Sequence, residues 1–322
     1  MLNFFTQETS RKLCYNIFHY TSRRRSIILM MKVKEIFCQS ILSPSQLPGC
    51  DYVINPYVGC AHGCVWCYAR FMKGYTGHDN DEWGSFVDVK INAPEILIRE
   101  LERLRQRSNS SNYRTKKPTI FLSSVCDPYQ PIEAKYQLTR KCLEILSPFS
   151  FPVSILTQSK LVTRDIDLFK KFKDIEAGMS FITMDEKATK IFQPATALPN
   201  ERIEVLKKLH QAGIKTYLHV GPILPIFTDF EKIFKAVSPW VDSVMGETLN
   251  TRGENWTNLI KTLSFYYPKL LLEFKKWKFQ NPEYLYQVGS DFKKAAQRHK
   301  IKVSGVYTHG QNRKSFLGKS EN

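Results

Sequence analysis

Three cysteines in one short loop constrain this chain more than any other feature. They are Cys60, Cys64 and Cys67, separated by three residues and then by two. A structural zinc ion is tetrahedral and takes four protein ligands, normally as two separated pairs. An iron–sulfur cluster that is held at each of four irons also takes four cysteines. Three cysteines would leave one iron open to bind another molecule, which makes such a cluster a reagent.

Two other interpretations of the loop remain open on these residues alone. A zinc knuckle could recruit His62 or Cys50 as its fourth ligand, although His62 lies inside the tight loop and no second cysteine pair exists. Alternatively, the three thiols are packed structural side chains in a glycine-containing loop. A motif counts only when its structural context agrees with it, so the rest of the chain has to decide.

The spacing, with Trp66 just before the last cysteine, resembles the signature of the radical S-adenosylmethionine (SAM) enzymes. In that family the open iron holds the amino and carboxylate groups of SAM. An electron from the reduced cluster then cleaves the sulfonium to methionine and a 5′-deoxyadenosyl radical. The resemblance implies two cofactors, SAM and a 4Fe-4S cluster on Cys60, Cys64 and Cys67. It also implies an electron donor such as a flavodoxin or a ferredoxin.

The composition sets the class of protein and of partner. The 322 residues include 47 Lys and Arg against 30 Asp and Glu, a formal net charge of +17. Such an excess favours anionic partners, nucleic acid first among them, although lysines on solvated helix faces account for part of it. No apolar run is long enough to span a bilayer. Eight cysteines in a chain of this size do not indicate a disulfide framework, so we expect a cytoplasmic protein.

The first thirty residues differ from the rest. Residues 1–30 are rich in arginine and poor in acidic residues, as organellar targeting sequences can be. The run that starts at Met30 and Met31 looks like a natural start. We therefore interpret residues 1–30 as an upstream extension, disordered or produced by a misplaced start, outside the fold. We predict a core domain over 31–250 and a helical C-terminal extension and tail over 251–322.

Strand and helix patterns alternate after residue 50. Six short apolar segments are typical of strands in a parallel sheet that is buried on both faces, and amphipathic helices separate them. The segments lie near 51–58 and at 119–125, 152–157, 176–183, 214–220 and 241–245. Six such units occupy about 200 residues, fewer than the ~250 typical of a closed eight-unit barrel. We therefore predict an α/β fold, an open partial (β/α)6 barrel, with helices added at the C-terminus.

Polar residues follow several of these strands. The working face of a β/α barrel lies at the carboxyl ends of its strands, so we expect these residues to line a common cavity. SAM brings an ammonium group and a carboxylate to that cavity. We predict that Asp127 and the backbone at Ser124 accept hydrogen bonds from the ammonium group. The candidates for holding the carboxylate are Gln158, Lys160, Ser180 and Thr183.

Further segments widen the resemblance to a branch of the family. Asn55–Cys60, Asp127–Glu133, Leu161–Asp165 and Gly221–Pro225 are together similar to the radical SAM proteins related to spore photoproduct lyase, a DNA-repair enzyme. This resemblance covers about residues 31–305. Most members of the branch have no established substrate, so the resemblance does not transfer the repair activity.

The chain departs from the pattern of that branch at three positions. Relatives usually carry Thr or Ser in place of Cys126, Lys in place of Gln158 and Glu in place of Gln193. Without that Lys the hold on the SAM carboxylate would weaken, because charge-assisted hydrogen bonds are roughly twice as strong as neutral ones. Lys160 is a candidate substitute. The thiol of Cys126 could return a hydrogen atom to a substrate radical, as one cysteine does in spore photoproduct lyase, or simply replace Thr.

The sequence therefore predicts a lyase-like enzyme that abstracts hydrogen from an unidentified substrate. One alternative is a DNA photolesion lyase, in which Trp256, Tyr266, Tyr267 and Trp277 would stack on bases. These aromatic residues stand at helical spacing with Leu259, which also fits packing in a core. A second alternative is an iron–sulfur or nucleic-acid-binding protein that has lost turnover.

Overall fold

The computed structural model describes residues 12–22, 25–110, 117–280 and 284–309, with side chains over 31–106, 117–277 and 284–309. The strands in chain order are β1 (Lys12–Ser22), β2 (Arg25–Ile36), β3 (Leu42–Pro44), β4 (Tyr52–Ile54), β5 (Tyr57–Val58), β6 (Phe86–Lys90), β7 (Ile120–Leu122), β8 (Val153–Thr157), β9 (Ile175–Phe181), β10 (Lys215–Ile223), β11 (Ser243–Thr248) and β12 (Lys302–Tyr307). The α-helices are α1 (Lys73–Thr76), α2 (Ala93–Ser110), α3 (Glu133–Tyr136), α4 (Leu138–Leu146), α5 (Ile166–Phe169), α6 (Glu186–Phe192), α7 (Pro199–Gln211), α8 (Phe230–Val237), α9 (Glu254–Tyr266), α10 (Leu271–Gln280) and α11 (Tyr284–Arg298).

The main sheet contains eight of these strands, in the order β12-β11-β10-β9-β8-β7-β4-β3. In this sheet the neighbours from β12 across to β4 pair in parallel, and β3 pairs antiparallel with β4 at one edge. Six of the parallel strands, β4 and β7 to β11, are those predicted from the sequence. Within the described ranges this sheet has two free edges, and the predicted α/β fold of the partial-barrel type is confirmed.

The parallel strands are apolar because helices cover them. Ile120, Ile155, Ala177 and Leu218 are fully buried and share one core with Leu97 of α2. Burying a Leu or Ile side chain stabilises a fold by about 1.5–3 kcal/mol, so this core holds the strand ends in place. None of the helices in the described ranges combines the length and the apolar character needed to cross a membrane.

The C-terminal region adds a strand that the sequence pattern did not indicate. Helices α9 to α11 occupy the predicted extension, and β12 then pairs in parallel with β11. In β12 Val306 is buried and Lys302 is exposed. Six residues that include Gly305 give a weak strand signal, because glycine is depleted in strands. The sheet therefore extends past residue 250, where the sequence analysis ended the core.

A second sheet contains the N-terminal strands, in the order β1-β2-β6-β5. Strand β2 pairs antiparallel with β1 and parallel with β6. The sequence analysis placed residues 1–30 outside the fold, whereas β1 and the first part of β2 fall within them. Residues 1–11 and 23–24 lie outside the described residues. A start at Met30 or Met31 stays a prediction.

Candidate active site

The cysteine loop, residues 59–67, follows β5 and is shaped by glycines. Gly59 (φ +80°) and Gly63 (φ +60°) adopt the left-handed backbone that favours glycine. Gly84, in the turn before β6, packs directly on this loop. A Cβ at Gly84 would lie only 2.8 Å from the Cα of Gly63. The loop and the turn are therefore in backbone contact.

The three thiols of the loop share a buried environment. Cys60 and Cys64 are 7% and 6% exposed. Burial, followed by the neighbouring thiol of Cys67, raises the pKa of Cys64 to about 12. Burial also raises the pKa of Cys67 to about 11. Three thiolates here would repel one another and lose hydration, so the ionised loop requires a cationic partner such as iron.

Groups around Cys67 favour its thiolate form. Burial dominates and the pKa of Cys67 is raised on balance, but the backbone N–H groups of Ala69 and Arg70 and the Arg70 charge offset part of that rise. The buried indole N–H of Trp83 acts in the same direction, and it has no hydrogen-bond acceptor among the described residues. A thiolate bound to iron would supply that acceptor. The residues of the loop therefore fit an iron–sulfur cluster.

The surroundings of the loop do not favour the zinc knuckle. His62 Nδ1 lies 3.3 Å from Asp127 Oδ2, and Cys50 donates its thiol hydrogen to the Tyr52 carbonyl at 3.0 Å. Both candidate fourth ligands are thus directed at other partners. No three His, Cys, Asp or Glu side chains within the described ranges are gathered around one ion position. A cluster binds each cysteine to a different iron, so it allows a wider arrangement of thiols.

The Asp127–Glu133 segment supports the cysteine loop. Its Gln130 is completely buried and hydrogen-bonds to the loop backbone through both ends of its amide. Tyr129 donates its hydroxyl hydrogen to Asp165 at 3.0 Å, which joins this segment to Leu161–Asp165. Two of the segments that carried the resemblance are therefore in direct contact behind the loop.

Asp127 is buried and its oxygens are committed to the protein. Oδ1 accepts from the Thr157 hydroxyl at 2.6 Å and from the Tyr129 backbone at 2.8 Å, and Oδ2 accepts from the Gln158 backbone at 2.8 Å. Burial raises the pKa of this carboxyl, but His62 and these hydrogen bonds outweigh burial and lower the pKa below its ordinary value. The geometry makes Asp127 a positioning residue, with little capacity left to accept from an ammonium group.

Gln158 faces the cysteine loop from the end of β8. Its Nε2 lies 3.6 Å from Cys64 Sγ, and its Oε1 accepts from the side-chain amide of Gln193. Gln193 in turn accepts from Arg202 at 3.0 Å. Two of the three positions that depart from the family pattern, Gln158 and Gln193, are therefore bonded to each other. Arg202, which the sequence analysis did not single out, completes the contact.

The remaining predicted carboxylate contacts are placed differently. Lys160 is 70% exposed in its side chain and pairs with Glu201 at 2.6 Å, so the structure does not bring it to the cysteine loop. A long Lys side chain keeps its ammonium group in water where it can, which explains its outward direction. Ser180 is buried and donates to the Gly221 carbonyl at 3.1 Å. Thr183 is buried and accepts from the backbone N–H two residues on.

The loop after β7 carries Ser124 and Cys126. The backbone N–H of Ser124 donates to the side chain of Asn55 at 2.9 Å, and its carbonyl accepts from the Tyr68 hydroxyl. Cys126 packs in the apolar cluster that contains Cys60. Burial raises the pKa of Cys126 to about 11, so its thiol keeps its hydrogen at neutral pH.

A carboxylate between two histidines lies at the carboxyl ends of β10 and β11. Glu247 Oε1 is 2.6 Å from His309 Nε2, and its Oε2 is 3.3 Å from His219 Nε2. Burial opposes ionisation of Glu247, but the two imidazoles lower its pKa far below the ordinary value. The sequence analysis missed this cluster, because His309 follows the strand whose signal was weak.

A cavity of about 530 Å³ opens beside the cysteine loop. Its walls include Tyr68, Arg70, Phe71, Lys73, Arg252 and Glu254. Three of these side chains are cationic and two are aromatic, while Glu254 and the further lining residue Asp79 are acidic, so the wall keeps a small excess of positive charge. Tyr75, which contacts the Phe71 ring edge to face at 6.1 Å between centroids, is 81% exposed. The cavity is thus suited to a ligand with both negative charge and flat rings.

Comparisons with known proteins agree on the family. The family model described as the radical SAM superfamily matches residues 54–237. An uncharacterized protein of Methanocaldococcus jannaschii is 36% identical over 222 residues, which cover 69% of this chain and 79% of that protein. A protein of Pseudomonas phage M6 named radical SAM Nalpha-GlyT isomerase is 26% identical over 173 residues, which cover 53% of this chain and 33% of that protein.

A solved structure shares the fold over most of the chain. It is spore photoproduct lyase complexed with dinucleoside spore photoproduct, similar with a TM-score of 0.63 and 15% identity. The match covers 86% of this chain and 81% of that one. At this level of identity the likeness establishes a common fold.

Proposed function

Because the chain belongs to the radical SAM superfamily, we propose that it is an enzyme that abstracts hydrogen from a substrate with SAM cleaved at a 4Fe-4S cluster. The observation that carries this proposal is the loop of three thiols, with Cys60 and Cys64 buried and Cys67 half-buried, and with N–H groups directed at Cys67. When bound, the cluster and SAM supply the 5′-deoxyadenosyl radical. The proposal includes a flavodoxin or ferredoxin as electron donor in a reducing cytoplasm.

The chain's own residues prepare this chemistry. Gln130 fixes the backbone of the cysteine loop, and Asp127 orients Gln158 next to Cys64. The Cys126 thiol keeps its hydrogen and packs against the group of apolar side chains that contains Cys60. In this proposal its S–H bond breaks as a C–H bond forms on the substrate radical, which leaves a thiyl radical on Cys126.

A second candidate is a lyase that acts on a damaged or modified base in nucleic acid. The observation that favours it is the exposed aromatic face beside the cavity, made of Tyr68, Phe71 and Tyr75, which are 45%, 54% and 81% exposed. Arg70 and Lys73 of the cavity wall add positive charge to it. Bases stack on aromatic rings while cations attract the phosphates, so a single strand would bind here.

Three of the four aromatic residues that the sequence suggested for stacking have another role. Trp256, Tyr267 and Trp277 pack against a core that contains Leu259 and Phe274. Their rings stabilise the C-terminal helices. The nucleic-acid candidate therefore depends on the face beside the cavity.

The test begins with anaerobic reconstitution using iron and sulfide, reduction with dithionite and addition of SAM. We expect 5′-deoxyadenosine from the wild type and none from Cys64→Ala. Cys38→Ala, which removes a thiol outside the loop, is the matched control and should behave as the wild type. A cluster that forms but yields no 5′-deoxyadenosine would support the alternative of an iron–sulfur protein without turnover. A loop that binds zinc and no cluster would contradict the proposal.

The nucleic-acid candidate is tested by binding of single-stranded DNA at increasing salt. Binding should weaken steeply with salt, because phosphate contacts release counterions. The double variant Phe71→Ala/Tyr75→Ala should bind at least tenfold more weakly, since stacking on each base is worth about 1–3 kcal/mol. Phe265→Ala, at an exposed ring on α9, is the control. If Phe71→Ala/Tyr75→Ala and Phe265→Ala bind single-stranded DNA with equal affinity, the nucleic-acid candidate is excluded.

A further inference from the structure

A buried polar chain leads from Arg202 to the cysteine loop. Arg202 is 1% exposed, and its guanidinium donates to the carbonyls of Ala197 at 2.7 Å and Ser180 at 2.6 Å. It also donates to Thr196 Oγ1 at 2.6 Å and to Gln193 Oε1 at 3.0 Å. Within the described ranges no carboxylate lies within ion-pair distance of it. A buried cation without an ion-paired carboxylate is costly, so the hydrogen-bond acceptors around Arg202 must stabilise its charge.

The direction of the hydrogen bonds is fixed by chemistry. A guanidinium has only donors, so Gln193 must turn its Oε1 toward Arg202. Its Nε2 therefore donates to Gln158 Oε1. That bond leaves the Gln158 Nε2 hydrogens for Cys64 Sγ, 3.6 Å away, whereas Gln158 Oε1 lies 4.0 Å from the same sulfur and accepts from it only while it carries a hydrogen. When Cys64 is a thiolate, each bond from Arg202 to the sulfur therefore places its positive end toward the sulfur.

We propose that Arg202, Gln193 and Gln158 form a relay that presents an N–H to the Cys64 sulfur and raises the reduction potential of the cluster. The proposal rests on the function proposed above and concerns positioning residues. Reduction adds negative charge to the cluster, and hydrogen bonds to its ligand sulfurs stabilise that charge. The charge of Arg202 reaches the sulfur through two polarised amides, which strengthen each other in a buried chain.

Two variants break the relay in different ways. Gln158→Met keeps the length of the side chain and removes its N–H without changing the charge. Gln193→Glu keeps the shape and still accepts from Arg202, but it cannot donate to Gln158. The Gln158 amide would then turn its Nε2 toward position 193 and its Oε1 toward Cys64. The double variant Gln158→Lys/Gln193→Glu restores a donor toward the sulfur.

The measurement is the midpoint potential of the reconstituted cluster without SAM, by titration followed with electron paramagnetic resonance. We expect each single variant to lower the equilibrium constant for one-electron reduction at least tenfold, which is about 59 mV. The double variant should recover most of this loss. Gln211→Glu, which adds the same charge at an exposed position of α7, should not change it.

The outcomes separate the two proposals. A loaded cluster whose potential is unchanged in Gln158→Met would overturn the relay and leave the proposed function standing. A wild type that assembles no cluster would overturn both. If Gln193→Glu fails to fold, as judged by urea unfolding of the apoprotein, Gln158→Met and the double variant decide. A lower midpoint potential in Gln158→Met that is not recovered in the double variant would also overturn the relay.

Discussion

Gln130 holds the cysteine loop through Ala61. Its Oε1 accepts from the backbone N–H of Ala61 at 2.8 Å, and its Nε2 donates to the Gly59 carbonyl at 3.2 Å. Both backbone groups belong to a loop that has no regular secondary structure of its own. The side-chain amide of Gln130 therefore provides the backbone hydrogen bonds that a neighbouring strand would otherwise provide.

Replacing Gln130 with Leu should loosen the cysteine loop. The change leaves two buried backbone groups without partners, and each costs about 1–3 kcal/mol. We expect a loss of about 2–6 kcal/mol in the free energy of unfolding of the apoprotein, measured with urea. Iron retained after reconstitution and desalting should fall in parallel. Gln211→Leu, at an exposed position, is the control, and equal losses in the two variants would contradict this role.

Gly84→Ala tests the backbone contact beneath the loop. The new Cβ would lie 2.8 Å from the Cα of Gly63, and the φ of +101° disfavours alanine as well. Gly77→Ala is a matched control, because it has a φ of +75° but open space around the new Cβ. We expect Gly77→Ala to cost about 1–2 kcal/mol. Gly84→Ala should lower the free energy of unfolding by more than that and should also lower the iron content after reconstitution. Equal effects of the two variants would show that the left-handed backbone alone is responsible.

The fold was largely predictable from the sequence because its strands carry a strong signal. Segments such as 153–157 and 175–181 are short, apolar and flanked by helices, and the structure has strands in both places. The strand at 302–307 escaped notice because it lies at an edge and alternates with exposed residues. An edge strand is defined by its partner, β11, and not by its own composition.

The site was predictable where one short segment determines it. The cysteine loop is such a segment, whereas the relay depends on residues 64, 158, 193 and 202. Position 158 is a departure from the family pattern in the sequence, but the sequence pointed to Lys160, two residues away, as a substitute and gave no sign of Gln193 as a partner. The signal for Arg202 was present, since it precedes Val205 and Leu206 on the buried stripe of α7. A cation on an apolar stripe requires acceptors, and only the fold shows which ones.

Asp127→Asn should reduce stability in a way that depends on pH. The carboxylate accepts from Thr157 and from two backbone N–H groups, and an amide nitrogen turned toward either side would face a donor. We expect the free energy of unfolding to fall by about 3 kcal/mol at neutral pH. Urea unfolding of the two apoproteins at several pH values measures the difference.

The sign of the pH effect follows from the lowered pKa of Asp127. A carboxyl whose pKa is lower in the folded state contributes stability above its unfolded pKa of about 3.9. That contribution is lost as the pH falls through the pKa that Asp127 has in the folded protein. The difference between wild type and Asp127→Asn should therefore be full above about pH 5 and shrink below about pH 4. A difference that grows with acidity would contradict the assignment.

Removing β12 should expose the edge of the main sheet. A chain that ends at Lys300 lacks Ile301 and Val306, both buried, and loses the pairing with β11. We expect the free energy of unfolding to fall by at least about 2 kcal/mol, with a tendency to aggregate through the new edge. A chain that ends at His309 is the control. Calorimetry and light scattering that fail to distinguish the two chains would show that β12 adds nothing to the fold.

The Cys126→Thr variant distinguishes formation of the 5′-deoxyadenosyl radical from formation of the product. Because burial raises the pKa of Cys126 to about 11, the wild-type thiol carries an exchangeable hydrogen at neutral pH. In heavy water we expect the wild type to pass deuterium from that thiol to its product. The Cys126→Thr protein should still release 5′-deoxyadenosine but should form at least tenfold less product, because a hydroxyl does not readily give up a hydrogen atom.

The control for Cys126→Thr is Cys142→Ala, which removes a thiol that is buried in the main core. It should keep the ratio of product to 5′-deoxyadenosine, even if its stability falls by the cost of a small cavity, about 1 kcal/mol. Iron content should match the wild type in both variants, since the proposed ligands of the cluster are Cys60, Cys64 and Cys67. Loss of iron from Cys126→Thr would instead make Cys126 a fourth ligand. An unchanged product ratio would leave Cys126 as a small residue in place of Thr.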